Sequence, residues 1–286
     1  MSASSSLGAV ACLIVAMFSF QAGASIAKGL FPIIGAPGTT AWRLTGAVLM
    51  LCIVQRPWRS RPSRQALPSL VAYGLALGSM NFVFYQALKT VPLGIAVGLE
   101  FTGPLAVALA ASRRRLDLVW VALAVAGLLC LLPLERTSAH LDLTGVVWAL
   151  TAGAFWALYI IFGQRAGRAH GPTAATWGLM VAALAVAPIG VWDAGTRLLS
   201  HDVWPRGLAI AVLSSALPYT LEMIALRQLS ARVYGTLMSL EPAGAALVGL
   251  VLLQERLSLV QWVGIVAVMM ASAGALGQEQ TVGPEL

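Results

Sequence analysis

Charged residues are scarce in this chain of 286 residues: Lys, Arg, Asp and Glu make up 10%, against about 25% in a soluble domain. That scarcity excludes an ordinary globular protein. The net charge of +7 does not indicate nucleic-acid binding, because the basic residues cluster in particular loops. Hydrophobic residues account for 59% of the chain, in long runs rather than short alternating segments. The composition therefore predicts an all-α membrane protein that crosses the bilayer several times.

Catalytic and metal-binding motifs are missing as well. The histidines His140, His170 and His201 fall in predicted loops, and the sequence has no Walker loop, HExxH, CxxC or glycine-rich dinucleotide fingerprint. The three cysteines lie far apart in apolar runs and are typical of small buried side chains. We therefore expect no enzyme, no cofactor, no metal and no ATP-driven transport by this chain alone.

Ten apolar segments of roughly membrane-spanning length are bounded by charge, Pro and Gly. They comprise residues 7–29, 37–55, 67–88, 92–111, 117–133, 143–163, 172–192, 206–226, 233–252 and 258–277. The first is expected to stay in the mature protein, because residues 1–7 lack the Lys or Arg that begins a signal peptide. Residues 278–286 are polar and predict a disordered tail.

Loop charges predict the orientation in the membrane. Arginines concentrate in the loops after the second, fourth, sixth and eighth segments: Arg56, Arg59, Arg61, Arg64, Arg113, Arg114, Arg115, Arg165, Arg168, Arg227 and Arg232. The opposite side holds fewer cations, namely Lys28, Lys89, Arg136, Arg197, Arg206 and Arg256. Because basic loops stay on the cytoplasmic side, both termini are predicted to be cytoplasmic.

An internal repeat relates the two halves of the chain, at a constant offset of 141 residues over the best-matching part and less clearly, near an offset of 136, over the first parts of the halves. Gly94 falls on Gly235 and Glu100 on Glu241, and the register needs no gap over some forty residues. Five segments in each half is an odd number, so the second half must insert upside down. Inverted repeats of this kind are typical of secondary transporters with a central site near the membrane midplane. The predicted repeats are 7–133 and 143–277.

Three carboxylates lie deep within apolar segments: Glu100, Glu222 and Glu241. An ionisable group in mid-membrane costs at least a few kcal/mol and marks a functional site by default. Two interpretations stay open for Glu100 and Glu241, a role in a transport pathway or gate and a structural role at a helix junction.

Prolines and glycines surround two of these carboxylates. Pro104 and Pro242 remove a backbone hydrogen bond and are expected to bend their helices. With Gly94 and Gly235 they are the predicted hinges. One carboxylate directly precedes its proline and the other precedes it by four residues, so the bends are not expected to be exact mirror images.

Polar side chains of the third and eighth segments are further candidates for a substrate site. Asn81 and Tyr85 are four residues apart and share one helix face. Glu222 falls on Asn81 in the repeat, and Tyr219 precedes it by about one turn.

Arg43, next to Trp42, is the cation that lies fully inside a segment, whereas Lys28 is near an end and can reach the interface. Arg43 is either a counter-ion for a buried Glu or a receptor for a substrate carboxylate. Trp156 and Tyr159 are candidates for a cavity wall, with packing against lipid as the alternative.

Four stretches carry a family resemblance: residues 21–38 (beginning QAGASIAK), 92–109 (PLGIAVGLEFTGPLAVAL), 163–172 and 216–226. They resemble bacterial threonine/homoserine exporters, in the ten-helix EamA-domain branch of the drug/metabolite transporter superfamily. Aromatic amino-acid exporters are a related group in the same branch. The resemblance implies an inner-membrane amino-acid exporter with two EamA repeats around a central cavity. It places functional weight on Gln21, Asn81, Glu100, Glu222 and Glu241.

The resulting hypothesis is export of threonine- or homoserine-like amino acids by alternating access. A broader substrate range, or one of aromatic amino acids, stays open. The substrate ammonium would meet a Glu, helix-end carbonyls or an aromatic face, and its carboxylate would meet Asn81, Gln21, Arg43 or a helix N-terminus. Glu222 or Glu241 is a candidate proton carrier, and an uncoupled facilitator fits equally well. The alternative is a multidrug or organic-cation efflux protein. The expected partners are the amino-acid substrate, with a proton as an open addition, and the lipid bilayer. The oligomeric state stays open, and a monomer is compatible with both halves lying in one chain.

Overall fold

The computed structural model describes residues 3–111, 117–131, 142–170, 173–218 and 237–279, together with residues 221, 222, 225, 229 and 234. Within these ranges the regular structure is helical, without a strand. The longer helices are α1 (Ala3–Gln55), α2 (Leu67–Ala87), α3 (Leu93–Glu100), α4 (Thr102–Ala111), α5 (Asp117–Leu131), α6 (Leu143–His170), α7 (Ala174–Ala194), α8 (Val203–Ala211), α9 (Glu241–Leu252) and α10 (Leu259–Glu279).

Several of these helices have the length and composition of membrane spans. In the described part of the chain four stretches qualify, Leu7–Gln55, Leu67–Ala87, Leu143–His170 and Ala174–Leu199, and shorter apolar helices accompany them. Large apolar side chains point outward, with Trp192 93% exposed. A surface of this kind suits lipid rather than water, and the chain is a multi-pass membrane protein.

Helix α1 contains the first two predicted segments, joined at a sharp bend. Gly35 has φ 68° and ψ 169°, a conformation that a residue with a Cβ rarely adopts. Pro37 follows two residues later and lacks the N–H needed to continue the helical ladder through the bend. We call residues 3–34 the first arm and residues 36–55 the second arm of α1.

The fourth predicted segment is split directly after Glu100, where Phe101 forms a turn between α3 and α4. Pro104 has no N–H for the carbonyl of Glu100, which lies four residues earlier, so the ladder is interrupted there. The hydroxyl of Thr102 donates to the carbonyl of Leu99 at 2.6 Å and covers another helix-end carbonyl.

The ninth predicted segment is interrupted on the other side of its carboxylate. A turn at residues 239–240 precedes α9, whose first residue is Glu241 and whose first turn contains Pro242. Glu100 therefore ends a helix and Glu241 begins one. The two bends are not mirror images, in agreement with the different spacing of carboxylate and proline in the sequence.

Helices of the first half pack mainly on helices of the second half: α1 on α7, α2 on α6, α3 on α9 and α5 on α10. Small residues permit the close crossings. Gly127 and Gly264 face each other, and a Cβ on either would lie within 2.9 Å of the carbonyl oxygen of the other. Contacts of this kind replace the hydrophobic drive that is absent between helices in lipid. The space between the halves is consequently lined from both.

The eighth predicted segment begins as α8 and continues as a short π-helix, Val212–Ala216. The hydroxyl of Ser19 on the first arm of α1 donates to the carbonyl of Leu213 at 2.8 Å. π-Helices expose backbone groups in this way and occur often at functional sites. The predicted residues Tyr219 and Gly235 fall in the neighbouring parts of the chain that lie outside the described residues.

Candidate functional site

A cavity of about 310 Å³ lies between the two halves. Its wall combines carboxylates, one guanidinium, an amide and several aromatic rings. The lining residues are Phe20, Arg43, Leu77, Met80, Asn81, Val97, Glu100, Phe101, Pro104, Trp156, Tyr159, Ile160, Glu222, Tyr234, Met238, Glu241 and Ser272. The cavity thus brings together seven of the predicted substrate-binding residues and one predicted hinge.

Arg43 is buried, with 4% of its surface exposed, and packs among aromatic rings. Its guanidinium carbon lies 4.7 Å from the ring centre of Phe20 and 5.4 Å from that of Tyr85. Nη1 donates to the Tyr85 hydroxyl at 3.4 Å. Arg43 makes no ion pair with any described residue. The rings hold the cation in place and leave its charge for a carboxylate in the cavity.

Carboxylates line the cavity from both halves. Glu100 is 7% and Glu241 8% exposed, and Glu222 is half-buried. The amide Nε2 of Gln21 donates to Oε1 of Glu241 at 3.2 Å. Glu241 and Arg43 are close enough to Glu100 to interact with it electrostatically. With three carboxylates and one guanidinium, the wall can meet both ends of a zwitterion.

Asn81 lines the cavity with an amide that can both accept and donate. One N–H of its Nδ2 donates to the carbonyl of Leu77 in the preceding turn at 2.8 Å. Oδ1 and the second N–H can meet a solute. Oδ1 suits an ammonium or hydroxyl group, and the second N–H suits a carboxylate, the partner predicted from the sequence.

Trp156 and Tyr159, predicted as a cavity wall, both lie on α6 and line the cavity. Trp156 packs edge-on against Phe101, with ring centres 5.3 Å apart. Tyr159 packs against Tyr73 at 5.1 Å. These contacts fix two flat aromatic surfaces in the cavity wall, suited to the carbon skeleton of a solute.

Three predicted site residues lie behind the cavity wall. Gln21 contacts Glu241, and Tyr85 contacts Arg43, so each touches a lining residue. Trp42 is directed elsewhere, because its Nε1 donates to the carbonyl of Leu198 at 3.0 Å and its ring packs against Trp204. The predicted hinge Gly94 lies at the crossing of α3 and α9, where a Cβ would come within 2.6 Å of Ala246.

Some lining residues were not singled out from the sequence, among them Phe20, Met238 and Ser272. The repeat contained a signal for two of them. Phe20 falls on Trp156 at the weaker offset of 136 that relates the first parts of the halves, and Met238 falls on Val97 at the offset of 141. Each of these pairs lines the cavity from both halves.

An ion pair joins the two halves at the end of the first arm of α1. Lys28 Nζ lies 2.5 Å from Glu255 Oε1 and also donates to the carbonyl of Val91 at 3.3 Å. The second oxygen of Glu255 accepts the backbone N–H of Leu93 at 2.7 Å and caps the start of α3. We call these four residues the Lys28 cluster. Lys28 is therefore engaged with protein rather than extended toward the membrane interface.

A multi-pass helical protein with a cavity that holds charged groups between its two halves has the architecture of a membrane transporter. Comparisons with known proteins identify which kind. The model of the EamA-like transporter family matches residues 143–277. The threonine/homoserine exporter RhtA of Escherichia coli (strain K12) is 54% identical over 266 residues, covering 93% of this chain and 90% of that protein. This chain belongs to the EamA-like transporter family.

Other relatives of this chain are also named as transporters. The RhtA exporter of Salmonella typhimurium (strain SL1344) is 54% identical over 263 residues, which cover 92% of this chain and 89% of that protein. The uncharacterized transporter YwfM of Bacillus subtilis (strain 168) is 29% identical over 245 residues, 79% of each chain. A protein solved by crystallography superposes with a TM-score of 0.57 over 97% of both chains at 18% identity, and shares the fold.

Proposed function

We propose that this protein is a secondary transporter that exports small amino acids, threonine and homoserine among them, across a bacterial inner membrane by alternating access. The observation that carries the proposal is the cavity in which three carboxylates share a wall with one guanidinium that forms no ion pair within the described part of the chain. An amino acid in water carries both charges at once, so its desolvation is offset only where both find partners. The 54% identity to proteins named threonine/homoserine exporters supports the substrate class.

Each part of the substrate has a proposed partner. Arg43 receives the carboxylate, since its guanidinium can bond both oxygens at once. Glu100 or Glu222 receives the ammonium. The side-chain hydroxyl donates to Oδ1 of Asn81, and the carbon skeleton lies against Trp156. A hydrogen bond to a charged group contributes about 1.5–3 kcal/mol, so a few such contacts suffice for a transport substrate that must also leave.

We propose a fold of ten membrane helices in two inverted repeats, 7–133 and 143–277. The symmetry of the packing supports it. The second arm of α1 packs on α7, α3 on α9 and α5 on α10, and each pair joins equivalent helices of the two halves. Two further contacts are related to each other by the same symmetry. The first arm of α1 packs on the π-helix of the second half, and the equivalent contact with the halves exchanged is that of α6 with α2. A two-fold axis in the membrane plane would generate this pattern.

With both termini in the cytoplasm, the Lys28 cluster lies toward the outer face and the arginine-rich loops lie inside. The cluster joins α1, α3 and the loop before α10 across the two halves. We propose that it closes the outer end of the cavity in this state, so that the substrate enters from the cytoplasm.

Threonine counterflow into proteoliposomes tests the proposal. Vesicles loaded with unlabelled threonine should accumulate external radiolabelled threonine when they contain the wild-type protein. Arg43→Gln should reduce the rate at least tenfold, because the substrate carboxylate loses its partner. Arg64→Gln, in an exposed loop, is the matched control and should retain the wild-type rate. Equal counterflow by the two variants would disprove the role of Arg43.

Coupling to a proton is tested by the same vesicles with an imposed pH gradient. Proton-linked export would be identified if the gradient accelerates threonine uptake and if Glu222→Gln or Glu241→Gln abolishes that acceleration. A threonine uptake rate that the gradient does not change would identify a facilitator.

A second candidate function, efflux of organic cations, is favoured by the excess of carboxylates over cations in the wall and by its aromatic rings. It predicts that bulky aromatic cations compete with each other for transport while threonine does not. Competition by threonine would count against it.

A further inference from the structure

The pair formed by Gln21 and Glu241 is unusual among the groups of the site. Gln21 is fully buried on the first arm of α1 and reaches the carboxylate from behind the cavity wall. Its Nε2 donates to Oε1 of Glu241 at 3.2 Å. Gln21 therefore touches the carboxylate and not the cavity, which separates its role from that of the substrate-binding residues.

The other two oxygen atoms of this pair have no hydrogen-bond donor among the described residues. Oε1 of Gln21 and Oε2 of Glu241 are both buried and have no hydrogen-bond partner among the described residues. Both are acceptors while the carboxylate is ionised, so neither can satisfy the other. Buried acceptors without a donor are rare and costly. A proton on Oε2 would turn that oxygen into a donor, and Oε1 of Gln21 belongs to the amide that already bonds to the same carboxylate.

We propose that Gln21 and Glu241 form a proton-binding site in which a proton on Oε2 of Glu241 is donated to Oε1 of Gln21. The amide and the acid then share two hydrogen bonds, one in each direction. The proton comes from water in the cavity, which Glu241 lines, and returns to water after the cavity opens to the other face. This inference rests on the proposed transport function and assigns the proton to Glu241 rather than Glu222.

The structure provides a partner for each protonation state of Glu241. The ionised form accepts the Nε2–H of Gln21 and lies in the first turn of α9, where the helix dipole favours negative charge. The protonated form bonds to Oε1 of Gln21. Because Glu241 has a hydrogen-bond partner in both protonation states, it can gain or lose a proton without a change in the position of its side chain.

The charged and titratable neighbours of Glu241 come from several elements. Arg43 lines the same cavity from the second arm of α1, Glu100 from α3 and Tyr159 from α6, and Glu222 and Tyr234 line it as well. From α10 the cavity is lined by Ser272, which does not titrate. Among the described residues no side-chain amide donates to Glu100 or Glu222, so the two-bond arrangement is proposed for Glu241 alone. They remain for the substrate ammonium.

Infrared difference spectroscopy tests the inference. The reconstituted protein is compared between acidic and alkaline buffer, and the carbonyl band of a protonated carboxyl group is recorded. We expect this band in the wild type and its loss in Glu241→Gln. In Gln21→Leu the band should shift to higher frequency, because the acid loses its hydrogen bond to the amide. Gln86→Leu, a half-buried glutamine of α2 outside the cavity, is the matched control and should leave the band in place.

A band that persists in Glu241→Gln, or one that Gln21→Leu leaves at its original frequency, would overturn the inference. Gln21→Met, which preserves the volume of the side chain, replaces Gln21→Leu if the latter does not fold. Threonine counterflow on the same preparations separates the two proposals. Counterflow with an unaffected band refutes only the proton site, and a band that behaves as expected without any counterflow refutes only the amino-acid export.

Discussion

At the scale of single residues, the site depends on polar groups that neighbouring side chains hold in place. Arg43 packs on the rings of Phe20 and Tyr85, and Gln21 donates to Glu241. Because burial lowers the effective dielectric constant around such groups, they interact strongly with a charged solute. Their burial also limits which solutes enter, because a polar group that the solute leaves unpaired costs about 1–3 kcal/mol.

The orientation of Asn81 leads to a prediction about selectivity. Its Oδ1 is available to the hydroxyl of threonine, whereas valine, of similar shape, has no hydroxyl. Asn81→Leu should therefore weaken the apparent affinity for threonine by about tenfold, or about 1.4 kcal/mol, and leave inhibition by valine unchanged or improved. Competition of the two unlabelled amino acids against radiolabelled threonine measures both. An equal loss of apparent affinity for threonine and for valine would show that the hydroxyl of threonine does not bind to Asn81.

At the scale of elements, breaks in helices place the carboxylates. Pro104 and Pro242 were predicted to bend their helices, and an interruption lies beside each carboxylate, after Glu100 and before Glu241. The repeat predicted that the two segments are related. It did not predict on which side of the carboxylate each break falls, because that depends on which backbone groups find other partners.

Close helix crossings should be sensitive to small substitutions. At Gly94 a Cβ would come within 2.6 Å of Ala246, so Gly94→Ala forces α3 away from α9. We expect a loss of about 1–3 kcal/mol in stability, as for other overpacked sites, and a lower melting temperature in detergent. Gly244→Ala, in α9 itself, meets no atom within 4 Å and should melt like the wild type.

The Lys28 cluster predicts a change in accessibility. Lys28→Met removes the cation beside Glu255, whose remaining partner among the described residues is the backbone N–H of Leu93, and should open the outer end of the cavity. In a variant without the native cysteines, Ser272→Cys reports on the cavity. We expect an impermeant maleimide, added outside, to label it at least several times faster when Lys28→Met is present. The exchanged pair Lys28→Glu with Glu255→Lys should restore slow labelling, and unchanged labelling in Lys28→Met would show that the cluster does not close the cavity.

At the scale of the whole molecule, the two halves interlock, since most extensive helix contacts run between them. Neither half buries its own glycine-lined faces. We therefore expect the separately expressed halves to be degraded, and the two halves co-expressed as a split chain to co-purify and to support threonine counterflow. Stable accumulation of either half alone would show that the repeats fold independently.

The sequence by itself determined the class of the protein. Scarce charge and long apolar runs indicated a helical membrane protein, because lipid leaves each span no other way to satisfy its backbone. The constant offset of 141 residues and the embedded carboxylates then indicated a transporter. These are local or repetitive properties, which can be recognised without knowing how the helices pack.

Only the tertiary structure decided which polar residues share the cavity. Trp42 and Arg43 are adjacent in sequence, yet one packs against Trp204 and the other lines the cavity. Gln21 was predicted to bind substrate and lies behind Glu241, 220 residues away in the chain. The physical reason is the rotation of each helix about its axis. Contacts between distant segments set that rotation, and an almost uniformly apolar span carries little local signal for it.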